Sequence, residues 1–210
     1  MEPHAGQPVL TSGPGIGLSR AAMIMLHGRN AGPQNILELA GVLADPLFTY
    51  LAPAASGGTW YPYSFMADKA SNEPGLSSGL WVIDQLIGDL ESRGIPKGRI
   101  VLLGFSQGAC LACEYAVRHP DRLGGVIAFS GGVIGPPGTT WESPGRFDGT
   151  PMFLGCSDVD GHVPKTRVDE SAAVFERMGA VVTKRIYPGM GHLVNDDELE
   201  CARVLMAGVH

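Results

Sequence analysis

A chain of 210 residues, 44% hydrophobic and 17% charged, has the length and composition of one globular domain with a substantial core. Its formal charge of −6 opposes the phosphate surfaces of nucleic acids and anionic membranes, and no apolar run is long enough to span a bilayer. Residues 1–8 lack the basic and apolar regions of a secretory signal, which predicts a cytoplasmic location.

In chain order, residues 1–20 read as an irregular Gly- and Pro-rich segment with an edge strand at 8–11. Residues 21–26 form a continuous apolar run, the pattern of a strand buried on both faces, and lead into His27-Gly28-Arg29-Asn30. A helix is predicted over 33–44, with Ile36, Leu37, Ala40 and Leu43 on one face, followed by a strand over 48–51. The loop 52–72 holds Trp60-Tyr61-Pro62-Tyr63-Ser64-Phe65, a density of aromatics unusual for a surface loop. Leu76, Leu80, Ile83, Ile87 and Leu90 then recur at helical spacing until Gly94 and Pro96 end the pattern. A strand over 100–103 and a helix from Gln107 to the stop at His119-Pro120 come next. They are followed by a strand at 125–129, a Gly- and Pro-dense loop at 130–150 and a short strand at 152–154. A helix over 165–178, a strand over 181–186 and a helix over 196–206 complete the series, the last capped by Asn195 with Glu198 three residues on. Alternating strands and helices imply a single α/β domain over residues 1–210, with a mostly parallel sheet and helices on both faces. In such sheets the active groups gather at the carboxyl ends of the strands.

Gly104-Phe105-Ser106-Gln107-Gly108 matches G-x-S-x-G, with a strand before it and a helix of small residues (Gly108, Ala109, Ala112, Ala116) after it. That context is a nucleophile elbow: the serine sits on a strained strand-to-helix turn, and glycines two positions away on either side relieve the collision. A serine hydroxyl needs a base, and the base needs an orienting carboxylate. Six histidines are present. His4 and His210 are terminal, His119 precedes a proline, His27 ends the first core strand and His162 belongs to the loop that carries the acid. His192 follows the last strand in a Gly-Met-Gly turn and satisfies the Ser–Asp–His chain order, so it is the expected base. The acid belongs after strand 152–154, where Asp158 and Asp160 both qualify and spacing does not separate them. The expected oxyanion donors are the N–H of Gln107 and, from the loop after the first core strand, the N–H of Arg29. The Arg29 side chain either meets a substrate carboxylate or is solvated or structurally paired. Asp158, Asp160, His162 and His192 are residue types that suit a metal, but no HExxH-like or Cys/His spacing supports one, and no cofactor is implied. Cys110 and Cys113 form a C-x-x-C inside the helix after the elbow, among alanines and leucines, and read as buried structural thiols.

Leu26-His27-Gly28, Gly104-Phe105-Ser106-Gln107-Gly108-Ala109, Asp160-Gly161-His162-Val163-Pro164 and Gly189-Met190-Gly191-His192 together resemble the phospholipase/carboxylesterase family, which includes acyl-protein thioesterases. The resemblance implies the α/β-hydrolase fold, Asp160 as the acid, His192 as the base of Ser106, a share of the oxyanion hole for Gln107, and a small homodimer. Arg29-Asn30-Ala31 stands where the thioesterase branch has Leu-Gly-Asp, and the loop from Trp60 to Phe65 resembles a bacterial carboxylesterase branch. The expected activity is hydrolysis of small-molecule carboxylic esters through an acyl-enzyme on Ser106, without stable membrane association. No insertion is long enough for a cap domain, so the site is expected to be an open groove walled by 52–72 and 130–150. Trp60, Tyr61, Tyr63 and Phe65 are its expected substrate contacts, suited to small and medium acyl groups.

Overall fold

A computed structural model of the protein describes residues 2–209. Its elements are β1 (Val9–Ser12), β2 (Ala21–Leu26), α1 (Pro33–Leu43), β3 (Phe48–Pro53), α2 (Gly75–Ser92) and β4 (Ile100–Phe105). They continue with α3 (Gln107–Arg118), β5 (Gly125–Phe129), β6 (Pro151–Ser157), α4 (Lys165–Arg177), β7 (Val181–Tyr187) and α5 (Asp196–Ala207). The seven strands make one sheet in the order β1-β3-β2-β4-β5-β6-β7, parallel throughout except for the antiparallel edge strand β1. The α/β-hydrolase architecture expected from the sequence is the one observed.

The continuous apolar run in β2 follows from the layers around it. Ala22, Ile24 and Leu26 join Ile100 and Leu102 of β4 in a core shared with α2, α3 and α4. The alternate residues Ala21, Met23 and Met25 join Val101 and Leu103 in a second core under α1 and α5. A central strand covered on both faces has no position for a polar side chain, and each of its large residues, Met23, Ile24, Met25 and Leu26, contributes about 1.5–3 kcal/mol by burial. At the opposite edge β7 is covered on one side only and leaves four of its seven residues exposed.

Strand boundaries differ from the sequence reading where a pairing partner decides them. β6 runs through Ser157, because Gly155, Cys156 and Ser157 pair with Arg185, Ile186 and Tyr187 of β7. β3 extends to Pro53, which lies opposite Val9 of β1. Pro8, having no N–H, offers only its carbonyl to Ala54 and stays outside β1. In the sheet β3 and then β1 lie outward of β2 on one side, whereas after β3 the chain crosses to β4 and builds out to β7 on the other, so strand order reverses between β2 and β4. That reversal opens a crevice at the carboxyl ends of these two strands. Among the described residues no helix is long and apolar enough to cross a membrane.

Candidate active site

Ser106 stands between the end of β4 and the start of α3 with φ 55° and ψ −118°, a left-handed conformation that costs a non-glycine residue about 1–3 kcal/mol. Its neighbours explain how the turn closes. A Cβ at Gly104 would strike the backbone of Gly108 and Ala109, and one at Gly108 would strike the Leu26 carbonyl of β2. The Ser106 N–H donates to Phe129 O (2.9 Å) and its carbonyl accepts from Cys110 (3.0 Å), which fixes the turn to β5 and to the helix.

The Ser106 Oγ lies 2.9 Å from His192 Nε2, and His192 Nδ1 lies 2.7 Å from Asp160 Oδ2. The other carboxylate oxygen of Asp160 accepts from the N–H groups of His162 (2.8 Å) and Val163 (3.0 Å). Nδ1–H therefore donates to the carboxylate, and the Nε2 lone pair is left to accept the serine proton. Burial alone would push the Asp160 carboxyl up, but the His192 hydrogen bond and the two backbone donors outweigh it and hold the group below its ordinary value. Asp158 does not meet the imidazole. Its Oδ1 accepts from Gly189 (2.8 Å), and Ser157 Oγ at the end of β6 accepts from Gly191 (3.0 Å), so both ends of the Gly-Met-Gly turn are tied to the strand end and the acid loop. The rings of Phe105 and His162 pack on that of His192, with centroids 5.0 and 4.7 Å away.

Arg29 and Gln107 border the cleft beside Ser106. The Gln107 N–H opens α3 and has no carbonyl to bond within the helix, and the Arg29 N–H has no acceptor among the described residues. Both side chains have another occupation, which the sequence reading does not assign to Gln107. Gln107 Oε1 accepts from Trp60 N–H (2.9 Å) and Nε2 donates to Tyr61 O (2.8 Å). The Arg29 guanidinium donates to the carbonyls of Pro62 (2.8 Å) and Tyr63 (2.6 Å), so it is structurally paired. The aromatic loop is thus clamped to the elbow and to the loop after β2. The only sequence signal for this clamp is a glutamine directly after the serine.

Tyr61, Tyr63 and Phe65 line a cleft of about 520 Å³ that also holds Ser106 and His192. Trp60 does not, and its expected substrate contact is corrected here. It is wholly buried, packs between the rings of His4 (5.3 Å) and His27 (5.1 Å), and donates from Nε1 to His27 O (2.9 Å). His27 in turn donates from Nδ1 to Gly28 O and accepts from Ala55 at Nε2, while burial pushes its pKa down, so it is a neutral core group. His4 is likewise buried, bridging Ser56 N–H and Trp60 O. The expected second wall is also different. None of the described residues 130–150 lines the cleft, because Val133, Ile134, Trp141 and Phe147 turn inward to the core. His162 and Val163 of the acid loop border it instead.

Cys110 and Cys113 are buried free thiols, and burial pushes Cys110 up to about 12, so neither has thiolate character. His119 stacks on Tyr115 at the end of α3, and His210 lies outside the described residues. Among the described residues no group of three or more His, Cys, Asp and Glu side chains converges on a metal position.

The chain matches the family model described as Phospholipase/Carboxylesterase over residues 16–207. It is 38% identical to a phospholipase/carboxylesterase from Dyadobacter fermentans whose crystal structure superposes with a TM-score of 0.93, covering 99% of each chain. Acyl-protein thioesterase 1 of Eremothecium gossypii is 30% identical over 144 residues, 66% of this chain and 60% of that protein. The match to the first three curated relatives spans 56–60% of their lengths. A Bacillus cereus carboxylesterase shares the fold, with a TM-score of 0.77 at 18% identity, covering 98% of this chain and 96% of that one.

Proposed function

Because the chain belongs to the phospholipase/carboxylesterase family, we propose that it is a serine carboxylesterase acting on esters of small to medium acyl groups. The observation that carries this reading is the unbroken hydrogen-bond chain Asp160–His192–Ser106, with links of 2.7 and 2.9 Å, ending at a strained elbow. In this reading His192 Nε2 removes the Ser106 proton as Oγ attacks the ester carbonyl. Asp160 keeps the imidazole in the tautomer that can accept it and stabilises the imidazolium that forms. The N–H groups of Arg29 and Gln107 receive the negative charge on the former carbonyl oxygen, helped by the positive end of α3. The carbon–oxygen bond to the alcohol then breaks, His192 returns its proton to the leaving oxygen, and an acyl-enzyme remains on Ser106. A water deprotonated by His192 repeats the attack and releases the acid. Tyr61, Tyr63 and Phe65 supply the apolar wall, held in place by the Gln107 and Arg29 side chains.

A curated relative named for acyl-protein thioesters favours a second substrate class, small acyl thioesters, on the same machinery. Comparing kcat/KM for a butyryl ester and a butyryl thioester ranks the two. The test common to both is Ser106→Ala. It is expected to lower kcat by about 10³-fold or more while the circular dichroism spectrum is unchanged. Normal turnover by the folded variant would end the proposal.

A further inference from the structure

A second imidazole shares the cleft with the base. His162 is exposed, lines the same cleft as Ser106 and His192, and its ring centroid lies 4.7 Å from that of His192 at an interplanar angle of 59°. Its backbone N–H is spent on Asp160 Oδ1, which fixes where the side chain emerges. Among the described residues neither ring nitrogen of His162 has a hydrogen-bond partner. A residue needed only to pack against the base could be apolar; this one presents a donor and an acceptor to the space in front of it.

The chemistry of the proposed reaction says what occupies that space. The general acid must come within hydrogen-bond distance of the leaving oxygen, so the alcohol half of the ester passes His192 Nε2. It then meets the ring packed on His192. The charge of the lining is one-sided as well. Arg29 is the one formally charged side chain among the described lining residues, which include no carboxylate although the whole chain carries −6, and the His162 and His192 imidazoles border the cleft beside it. Such a lining favours an electron-rich oxygen over a cation or a bare alkyl group.

Resting on the esterase reading, we propose that His162 is a specificity-determining residue for the leaving alcohol, donating a hydrogen bond to an oxygen that the alcohol carries. The favoured substrates are then esters of polyols or hydroxy acids, in preference to esters of simple alkanols. The acyl side of the cleft does not enter this selection.

The test holds the acyl group fixed as butyryl and varies only the alcohol: propyl butyrate, glycerol monobutyrate and the butyrate ester of 3-hydroxypropanoate. For each, kcat/KM is measured with the wild type and with His162→Phe, His162→Ala and His162→Gln, and the polar esters are read as ratios to the propyl ester. The phenylalanine variant keeps a ring against His192, and the glutamine variant keeps a donor. The proposal expects at least one ratio to fall about three- to tenfold in both the Phe and Ala variants, with partial recovery in Gln. A fall confined to the 3-hydroxypropanoate ester assigns the oxygen to a carboxylate, and a fall in the glycerol ester assigns it to a hydroxyl. Ratios that stay constant across all four proteins would overturn the proposal, including the case in which every ester slows equally because the ring merely props the base. Wild-type protein that cleaves none of the three esters would instead remove the esterase reading, and this proposal with it.

Discussion

Asp158 and Asp160 lie two positions apart on the same loop, yet only the second carboxylate reaches the imidazole. Residues 158 and 159 form a turn beyond the end of β6, and the turn parts the two carboxylates, so one aspartate receives His192 while the other braces Gly189. Replacing the acid by asparagine reverses the tautomer that the imidazole prefers, which costs about 10² to 10⁴-fold in kcat. Asp160→Asn is therefore expected to lose that much on p-nitrophenyl butyrate, and Asp158→Asn less than about tenfold. The opposite order would move the acid to Asp158. Chain order and the Gly-Met-Gly turn single out His192 in the sequence and the G-x-S-x-G context singles out Ser106, two side chains that the fold brings within 2.9 Å of each other. Spacing cannot choose between the two aspartates, because the choice rests on a hydrogen bond between residues 32 positions apart. Trp60 is misread for a related reason. An irregular loop has no period, so nothing local says which of its aromatics points into the core.

Among the elements, α5 carries an unusual helix cap. Asn195 accepts from Glu198 N–H and Glu198 Oε2 accepts from Asn195 N–H, a reciprocal pair legible in the sequence. The structure adds that Glu198 is fully buried against Gly155 of β6, with Oε1 unpartnered among the described residues. Burial, partly offset by the Asn195 hydrogen bond and reinforced by the Asp197 charge, raises its pKa from 4.5 to about 7. Between these two values the folded chain holds a proton that the unfolded chain has lost. Stability contributed by Glu198 is thus full below the unfolded pKa, declines as pH rises through this window and stays low above it. The swing is on the order of 3 kcal/mol, and urea midpoints are expected to drop from pH 5 to pH 8. Glu198→Gln, which cannot ionise, is expected to remove most of that drop; an equal drop in the variant would contradict the assignment. The helices themselves are readable because each buries one apolar stripe. The far end of β6 is not, since Gly155 reads as loop and becomes strand through its pairing with Phe129 of β5 and Arg185 of β7.

For the molecule as a whole, the α/β alternation is enough to give the sheet, the crossovers and the crevice beside the elbow. The walls of that crevice are another matter: the segment 130–150 folds inward, and the acid loop supplies His162 and Val163 in its place. The clamp of Gln107 and Arg29 on the aromatic loop is equally invisible to local pattern, because it joins side chains to carbonyls dozens of residues away. A cleft of about 520 Å³ bounds the acyl group it can cover. Each methylene that enters adds at most about 0.8 kcal/mol, and the gain ends where the wall of Tyr61 and Phe65 ends. Across p-nitrophenyl esters from acetate to palmitate, kcat/KM is expected to peak at short or medium chains; a steady rise to palmitate would mean a longer channel. The central claim is that Ser106 is the nucleophile and His192 its base, and trapping with a fluorophosphonate tests it most directly. The account predicts one adduct per chain on the peptide containing Ser106, none in Ser106→Ala, and labelling slowed by about 10²-fold or more in His192→Ala. An adduct on another residue, or an unchanged labelling rate without His192, would contradict it.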